Sequence, residues 1–367
     1  MDKCDFALVE KILNSGETVD TGAQKIVIKN VPDEGDFAGK MDPREFFIRS
    51  AIYAFQKSMP VQFSVAGMRQ TTKTYCQDMC KGEITEDAID LTCGGRSFKL
   101  FSYVPSDRAD EVLPVMVYVH GGSFMASKAE FYKEPCRYVA ENLGCRVFNV
   151  DYSLAPENIY PAAIEDILAA VEYIYNNAAS LKVDASKIGL FGDSAGANLA
   201  LAAIIDNKTE AKFSYAGLFY PCVDLYSRDN LYDWKLEMYD VGDEQKEIIS
   251  SRLQLGRADG LGNNDLMAAI LTAYSGGRYE EVKRNPDVSM IYADLGNMPV
   301  TGVFTAEYDG LRIQAEYYSR LLDKAGVPNT HIRYRGVSHA FLDYFGILPQ
   351  AQAALLEMCE QIKKVWG

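Results

Sequence analysis

Two hydrophobic patterns alternate along most of the chain beyond about residue 97. Short runs rich in β-branched and aromatic residues are separated by longer segments in which apolar residues recur every three or four positions, as in 161–175. The runs predict strands at 98–104, 115–119, 146–150, 187–191, 215–219, 300–305 and 331–334. Strands that alternate with amphipathic helices predict an α/β fold, in which a mostly parallel central sheet is flanked by helices.

Two regions lack this alternation. Residues 1–88 have a mixed, mainly helical pattern, with Asp42 and Pro43 suited to the cap and first position of a helix. Residues 223–285 are rich in Asp, Tyr and Leu and contain helix-like pieces without a convincing strand. The pattern therefore predicts a core at 89–222 and 286–367, with 1–88 and 223–285 as a mainly helical cap region.

The composition of the chain limits the cellular compartments and the binding partners that can be expected. The 367 residues carry a formal net charge of −14, a field that disfavours nucleic acid and anionic membranes as partners. Neither a membrane-spanning apolar run nor a secretory signal is recognisable, so the sequence predicts a cytoplasmic protein. The eight cysteines and three histidines show no paired zinc-ligand spacing, so no metal site is expected. The oligomeric state stays open, a homo-oligomer included.

A Gly-x-Ser-x-Gly pentapeptide provides the first candidate for chemistry. Gly192-Asp193-Ser194-Ala195-Gly196 follows the predicted strand 187–191 and opens a helical segment at 197–205. A serine at a sharp strand-to-helix turn has a strained backbone, so small residues are required two positions before and after it. The context predicts that Ser194 is a nucleophile.

A second glycine motif follows the strand at 115–119. His120-Gly121-Gly122-Ser123-Phe124 would let backbone amides approach a substrate oxygen without a side chain in the way. The amides of Gly121, Gly122 and Ala195 are the predicted oxyanion hole. His120 is expected to brace this loop and not to act as a base.

A serine hydroxyl needs a base, and only two histidines follow Ser194 in the sequence. His331 lies inside an alternating strand pattern and is predicted to have no chemical role. His339 lies in a loop after that strand and before a helix-prone tail, where this kind of fold delivers its base. His339 is therefore the predicted general base.

These motifs together resemble one family. The His-Gly-Gly-Ser-Phe loop, the run Asp-Tyr-Ser-Leu-Ala-Pro-Glu at 151–157 and the Gly-Asp-Ser-Ala-Gly turn are similar to those of the hormone-sensitive-lipase family of esterases. The resemblance covers about residues 90–367 and implies an α/β-hydrolase fold, a cap from the N-terminus and an insertion, and no cofactor. The sequence departs from the family pattern at Ser123, where a third glycine is usual, and at Ser153, where an arginine is usual.

The resemblance also implies the acid of the site. Asp309 matches the family's catalytic aspartate, while the second aspartate of that pattern is Ile313 here. Glu307 and Asp343 are the competing carboxylates. In a triad, Asp309 would orient the ring of His339 and stabilise its protonated form.

The predicted function is that of a serine carboxylesterase, which hydrolyses small short-chain acyl esters through an acyl-enzyme. The alternatives are a serine peptidase or other acyl hydrolase on the same fold, and a non-catalytic ligand receptor. The acidic net charge also predicts that dianionic esters are poorer substrates than neutral ones of equal size.

Overall fold

The computed structural model describes residues 2–58, 64–225, 235–253 and 265–367, with 265–268 described by their backbone only. The strands of this part of the chain are β1 (Glu17–Asp20), β2 (Lys25–Lys29), β3 (Ile84–Cys93), β4 (Arg96–Pro105), β5 (Leu113–Val119), β6 (Arg146–Asp151), β7 (Val183–Asp193), β8 (Phe213–Phe219), β9 (Val300–Tyr308) and β10 (Asn329–Ser338). Its α-helices are α1 (Phe6–Asn14), α2 (Pro43–Ser58), α3 (Val65–Thr71), α4 (Lys133–Leu143), α5 (Ala162–Asn176), α6 (Ala178–Leu181), α7 (Ala195–Ile205), α8 (Lys246–Leu253), α9 (Asp265–Ser275), α10 (Tyr279–Val282), α11 (Arg312–Lys324) and α12 (Pro349–Trp366).

The strands form one sheet with the order β1-β2-β10-β9-β8-β7-β5-β6-β4-β3. All neighbours from β2 to β6 in this order are parallel, and the pairs at the two edges, β1–β2, β6–β4 and β4–β3, are antiparallel. The predicted α/β-hydrolase fold, a mostly parallel sheet flanked by helices, is confirmed.

Burial explains why the central strands are continuous apolar runs. In β5, every residue from Val115 to Val119 is fully buried, because helices cover both faces of the sheet. One face packs against α5, α7 and α11, and the opposite face packs against α1, α4 and α12. The carboxyl ends of the parallel strands therefore meet at one edge of this layered core.

The first 88 residues differ from the prediction. β1 and β2 belong to the central sheet, where Ile26 of β2 lies opposite His331 of β10, and β3 begins at Ile84. Assigning all of 1–88 to a helical cap was therefore wrong for these strands. Their pairing partners are distant in the sequence, and a short run such as 25–29 carries little periodicity of its own.

The remaining segments of the predicted cap region contact each other near the carboxyl end of β9. α2 contacts α8, and a small buried cluster of Met41, Tyr239, Ile249, Leu253, Tyr308 and Ile313 joins them to β9 and α11. In the described part of the insertion, α8, α9 and α10 are present and no strand occurs. Residues 226–234 and 254–264 of that insertion lie outside the described residues.

Candidate active site

Ser194 lies at the turn between β7 and α7, with φ 53° and ψ −119°. This left-handed backbone is costly for a serine and is held by the strand before and the helix after it. A Cβ on Gly192 would lie 2.6 Å from the carbonyl oxygen of Val119, and one on Gly196 only 2.1 Å from it. Both flanking positions therefore require glycine, as the steric argument from the sequence expected.

Two hydrogen bonds link Ser194 to a histidine and an aspartate from other strand ends. Ser194 Oγ lies 2.9 Å from His339 Nε2, and His339 Nδ1 lies 2.8 Å from Asp309 Oδ2. Asp309 is only 2% exposed, and its second oxygen accepts the amide of Leu311. Because Asp309 accepts at Nδ1, Nε2 is left to take a proton from the serine hydroxyl.

The other candidate acids and bases are placed elsewhere. Glu307 accepts the amide of Gly336, and burial raises its pKa. His331 is buried in β10 against Thr305, as expected for a residue without chemistry, and burial lowers its pKa to about 4. His120 is fully buried, and its Nδ1 lies 2.7 Å from the carbonyl oxygen of Gly121, so it braces the loop.

The glycine loop differs in one respect from the prediction. The amide of Gly121 donates to Asp193 Oδ1 at 2.7 Å, so this N–H is already used inside the protein. The same carboxylate accepts the hydroxyls of Tyr118 and Tyr220, and its burial raises the pKa of Asp193. Gly121 therefore anchors the loop, because the buried carboxylate requires donors.

The next two amides along this loop, and the first amide of α7, remain available. Those of Gly122, Ser123 and Ala195 donate to no acceptor within the described residues, and all three residues line the pocket at Ser194. Gly122 has φ 120°, and a Cβ there would lie 2.1 Å from the carbonyl oxygen of Ala126. Ser123, which replaces the usual third glycine, has φ 54°. Its amide was missed because, within this loop, the sequence argument considered only the two glycines.

The pocket beside Ser194 has a volume of about 310 Å³. Its polar wall includes Asp193, Tyr132 and Asp343, and its apolar wall includes Phe124, Cys222, Leu225, Leu311 and Ile270. The N-terminal segment contributes Arg49, Ile52, Met68, Thr71, Thr72 and Lys73, and α8 contributes Arg252. Segments of the predicted cap region thus form part of the pocket wall, and these residues carry no motif that a sequence pattern could reveal.

Aromatic residues of the cap support the site more than they line it. Tyr239 donates its hydroxyl to the carbonyl oxygen of Asp309, and Tyr274 stacks on Phe124 with ring centroids 4.1 Å apart. Three further aromatics of the insertion, Tyr226, Tyr232 and Trp234, lie outside the described residues.

A buried polar cluster holds the segment that carries His339. Glu45 of α2 accepts from Arg49 and from both the amide and the hydroxyl of Ser338. Arg49 and Arg252 each donate to the carbonyl oxygen of His339 at 3.0 Å. The cluster joins both cap segments to the residue that hydrogen-bonds Ser194.

Asp343 lies in the pocket wall next to this cluster. Its Oδ1 accepts the hydroxyl of Tyr132 at 2.8 Å. Burial, and next the negative charge of Asp193, raise the pKa of Asp343 to about 7. Asp343 therefore holds its proton over much of the range in which an ordinary aspartate is ionised.

Features outside the pocket add little chemistry. No three His, Cys, Asp or Glu side chains in the described ranges are grouped so as to hold a metal ion. Across those same ranges, every helix is too short or too polar to cross a membrane.

Comparison with known proteins agrees with this geometry. Residues 116–343 match a family model described as the alpha/beta hydrolase fold. An acetyl esterase of Salmonella schwarzengrund is 30% identical over 269 residues, which cover 73% of this chain and 76% of that protein. An arylesterase of Saccharolobus solfataricus is 32% identical over 251 residues, 65% of this chain and 71% of that protein.

Solved structures show the same likeness. A hyperthermophilic esterase from the archaeon Pyrobaculum calidifontis superposes with a TM-score of 0.71 at 29% identity, covering 89% of this chain and 98% of that one. The chain is therefore a carboxylic ester hydrolase of the alpha/beta hydrolase fold family, and within that family it belongs to the hormone-sensitive-lipase-like carboxylesterases.

Proposed function

We propose that this carboxylesterase hydrolyses short-chain acyl esters through an acyl-enzyme formed on Ser194, with His339 as general base and Asp309 as the orienting acid. The observation that carries the proposal is the continuous hydrogen-bonded line from Ser194 Oγ through the His339 ring to Asp309 Oδ2, at one wall of a pocket.

In the acylation half, Ser194 Oγ attacks the ester carbonyl carbon while His339 Nε2 takes the hydroxyl proton. The C–O bond to the alcohol then breaks, and His339 returns the proton to the leaving oxygen. Water repeats the same steps on the acyl-enzyme and releases the carboxylic acid. Asp309 keeps its negative charge throughout and stabilises the protonated ring.

The amides of Gly122 and Ala195 are proposed to hold the oxyanion, with the amide of Ser123 as a third donor. These amides have no acceptor among the described residues, and the residues that carry them line the pocket at Ser194. Gly121 would not bind the oxyanion itself, because its amide donates to Asp193 and thereby positions the loop. Donors aimed at a developing charge contribute about 3–4 kcal/mol each in comparable enzymes.

Pocket size supports small substrates. A volume of about 310 Å³ is near the lower limit of about 300–1,000 Å³ that small-molecule sites occupy. Each methylene that fits should contribute about 0.8 kcal/mol of burial until the acyl chain meets the pocket wall. We expect kcat/KM to be highest for acyl groups from acetyl to hexanoyl, and relatives named as an acetyl esterase and an arylesterase agree with small esters.

The domain division is proposed in a revised form. The cap would consist of the segment containing α2 and α3 together with residues 223–285, because both contribute to the pocket wall. A cytoplasmic location and a homo-oligomer stay predictions, which cell fractionation and size-exclusion chromatography would test.

The experiment compares Ser194→Ala with wild type on p-nitrophenyl esters from acetate to palmitate. We expect the variant to lose about 10³- to 10⁶-fold in kcat while keeping its circular dichroism spectrum. Ser180→Ala, an exposed serine on α6, is the control and should keep full activity. A folded Ser194→Ala protein with near wild-type rates, or no labelling of Ser194 by a fluorophosphonate probe, would contradict the mechanism. A rate maximum at dodecanoyl or longer would contradict the pocket argument alone.

A further inference from the structure

Two arginines from different cap segments converge on the pocket wall next to His339. Arg49 of α2 and Arg252 of α8 both line the pocket, and both donate to the carbonyl oxygen of His339. Arginines are rarely buried without a carboxylate partner, because removing the charge from water is costly. The partners of each guanidinium therefore decide what the pocket can bind.

Among the residues that the structure describes, a carboxylate pairs directly with one of these two charges and not with the other. Arg49 forms an ion pair with Glu45 at 2.8 Å, with side chains only 5% and 0% exposed. Arg252 donates to two neutral oxygens, Ser338 Oγ at 3.1 Å and His339 O at 3.0 Å. A guanidinium has five N–H groups, so three of those on Arg252 have no acceptor in the part of the chain that the structure describes.

Other charges of the pocket are already engaged or lie at its rim. Asp193 accepts three donors from the protein, and Asp343 accepts the hydroxyl of Tyr132. Lys73 lines the pocket and is exposed. The acidic groups that act on Arg252 are Glu45, which is paired with Arg49, and Asp309, which is hydrogen-bonded to His339.

The electrostatic state of Arg252 agrees with an uncompensated charge. Burial, and next repulsion by the guanidinium of Arg49, lower the pKa of Arg252 to about 9. Arg252 is still a cation at neutral pH, but its charged form is less well stabilised in the protein than it would be in water. An anion beside Arg252 would supply that stabilisation.

We infer that Arg252 receives a carboxylate of the substrate, so that the enzyme prefers monoanionic esters to their neutral isosteres. The inference rests on the proposed function, because the anion must be part of an ester whose carbonyl reaches Ser194. Arg252 lies beside His339 in the pocket, so the carboxylate belongs close to the scissile bond, on either the acyl or the alcohol part. Arg49 stays with Glu45 and only adds to the local positive potential.

This preference is opposite in sign to the effect of the net charge. The formal charge of −14 acts at long range and is screened beyond about 8 Å at physiological ionic strength. A guanidinium that contacts the ligand acts at short range beside buried groups such as Glu45 and Asp309, where screening is weak. Contact electrostatics should therefore outweigh the long-range field for a substrate with one negative charge.

The test uses two matched substrate pairs, one for each side of the ester. On the acyl side, mono-p-nitrophenyl glutarate is compared with p-nitrophenyl 5-oxohexanoate, in which a methyl ketone replaces the carboxylate. On the alcohol side, 4-acetoxybenzoate is compared with 4-acetoxybenzamide. Spontaneous hydrolysis is subtracted, and the measured quantity is the ratio of kcat/KM for the anionic member to that for the neutral member. Wild type should favour the anionic member about tenfold or more in one pair, which identifies the side.

Three variants then locate the effect. Arg252→Gln should lower the ratio in that pair about 10- to 100-fold, the size of a hydrogen bond to a charged group. Arg252→Lys keeps the charge and should keep a preference for the anion. Arg108→Gln removes the same charge from an exposed ion pair with Glu111 and should leave the ratio unchanged. A general loss through displacement of His339 would lower both rates and leave the ratio unaffected.

Two results would overturn the inference while leaving the esterase proposal intact. One is the lack of a wild-type preference for the anionic member in both pairs, which is measurable even if Arg252→Gln does not fold. The other is an unchanged ratio in folded Arg252→Gln. If wild type hydrolysed neither member of either pair nor p-nitrophenyl acetate, the proposed function itself would fail, and the inference with it.

Discussion

Glu45→Gln perturbs the structure at the point where one buried carboxylate supports three groups. Glu45 is fully buried in α2 and accepts from Arg49 Nε and from the amide and hydroxyl of Ser338. Glutamine keeps nearly the same volume and an accepting oxygen, but it removes the negative charge. Arg49 would then be a buried cation without its ion-pair partner, and the guanidinium of Arg252, which donates to the same carbonyl oxygen of His339, would repel it.

The expected loss of stability is large for a change so nearly isosteric. Breaking a buried ion pair by removing one partner costs about 3–5 kcal/mol, because the other charge stays buried without compensation. An unfolding entropy of about 2.1 cal/mol/K per residue gives roughly 0.8 kcal/mol/K for 367 residues. The melting temperature should therefore fall by about 4–6 °C. The rate of ester hydrolysis should fall as well, because Ser338 precedes His339 in the chain.

Thermal unfolding followed by circular dichroism measures the effect, and Glu247→Gln is the matched control. Glu247 also pairs with α2, through Lys57 and Tyr53, but both members of its ion pair are about two-thirds exposed. Solvent screens such a pair, so the melting temperature of the Glu247→Gln variant should match that of wild type. Equal shifts in the two variants, or a more stable Glu45→Gln protein, would refute the argument that the buried charge is what matters.

Three other changes test the site. Asp309→Asn should lower kcat about 10²- to 10⁴-fold by favouring the wrong tautomer of His339, whereas Glu307→Gln should change kcat little, and the reverse ranking would reassign the acid. Gly122→Ala should lower ester turnover severely, because Gly122 has φ 120° and an added Cβ would lie 2.1 Å from a backbone oxygen. Wild-type kinetics in this variant would contradict a role for the loop in the oxyanion hole. Burial, and next a neighbouring carboxylate, raise the pKa of Asp343 to about 7, so its contribution to stability is lost as pH rises from about 4 through 7. Asp343→Asn should reduce the fall in melting temperature over that range, and an identical pH dependence in both proteins would contradict the assignment.

Local steric requirements made much of this protein predictable from its sequence. Central strands such as β5 and β8 follow from apolar runs that helices bury on both faces, whereas the three strands that precede residue 97 were not predicted. The turn at Ser194 was recognisable because Gly192 and Gly196 have no room for a Cβ. Such constraints act within a few residues, so they leave a readable pattern in the chain.

Contacts between distant segments were decided only by the tertiary structure. The short strand β2 exists because β10 pairs with it, and Gly121 is engaged because the carboxylate of Asp193 turns toward it. Neither relation leaves a periodic or compositional mark in the sequence.

The charge of the pocket is the clearest example of a property that the sequence alone does not determine. The sequence by itself determined a net charge of −14, which predicts that dianionic esters are poorer substrates than neutral ones. Only folding brings Arg49 and Arg252 from separate cap segments to the carbonyl oxygen of His339, while Glu45 neutralises just one of them. Electrostatic energy inside a pocket depends on distance and burial, and a sum of charges along the chain contains neither.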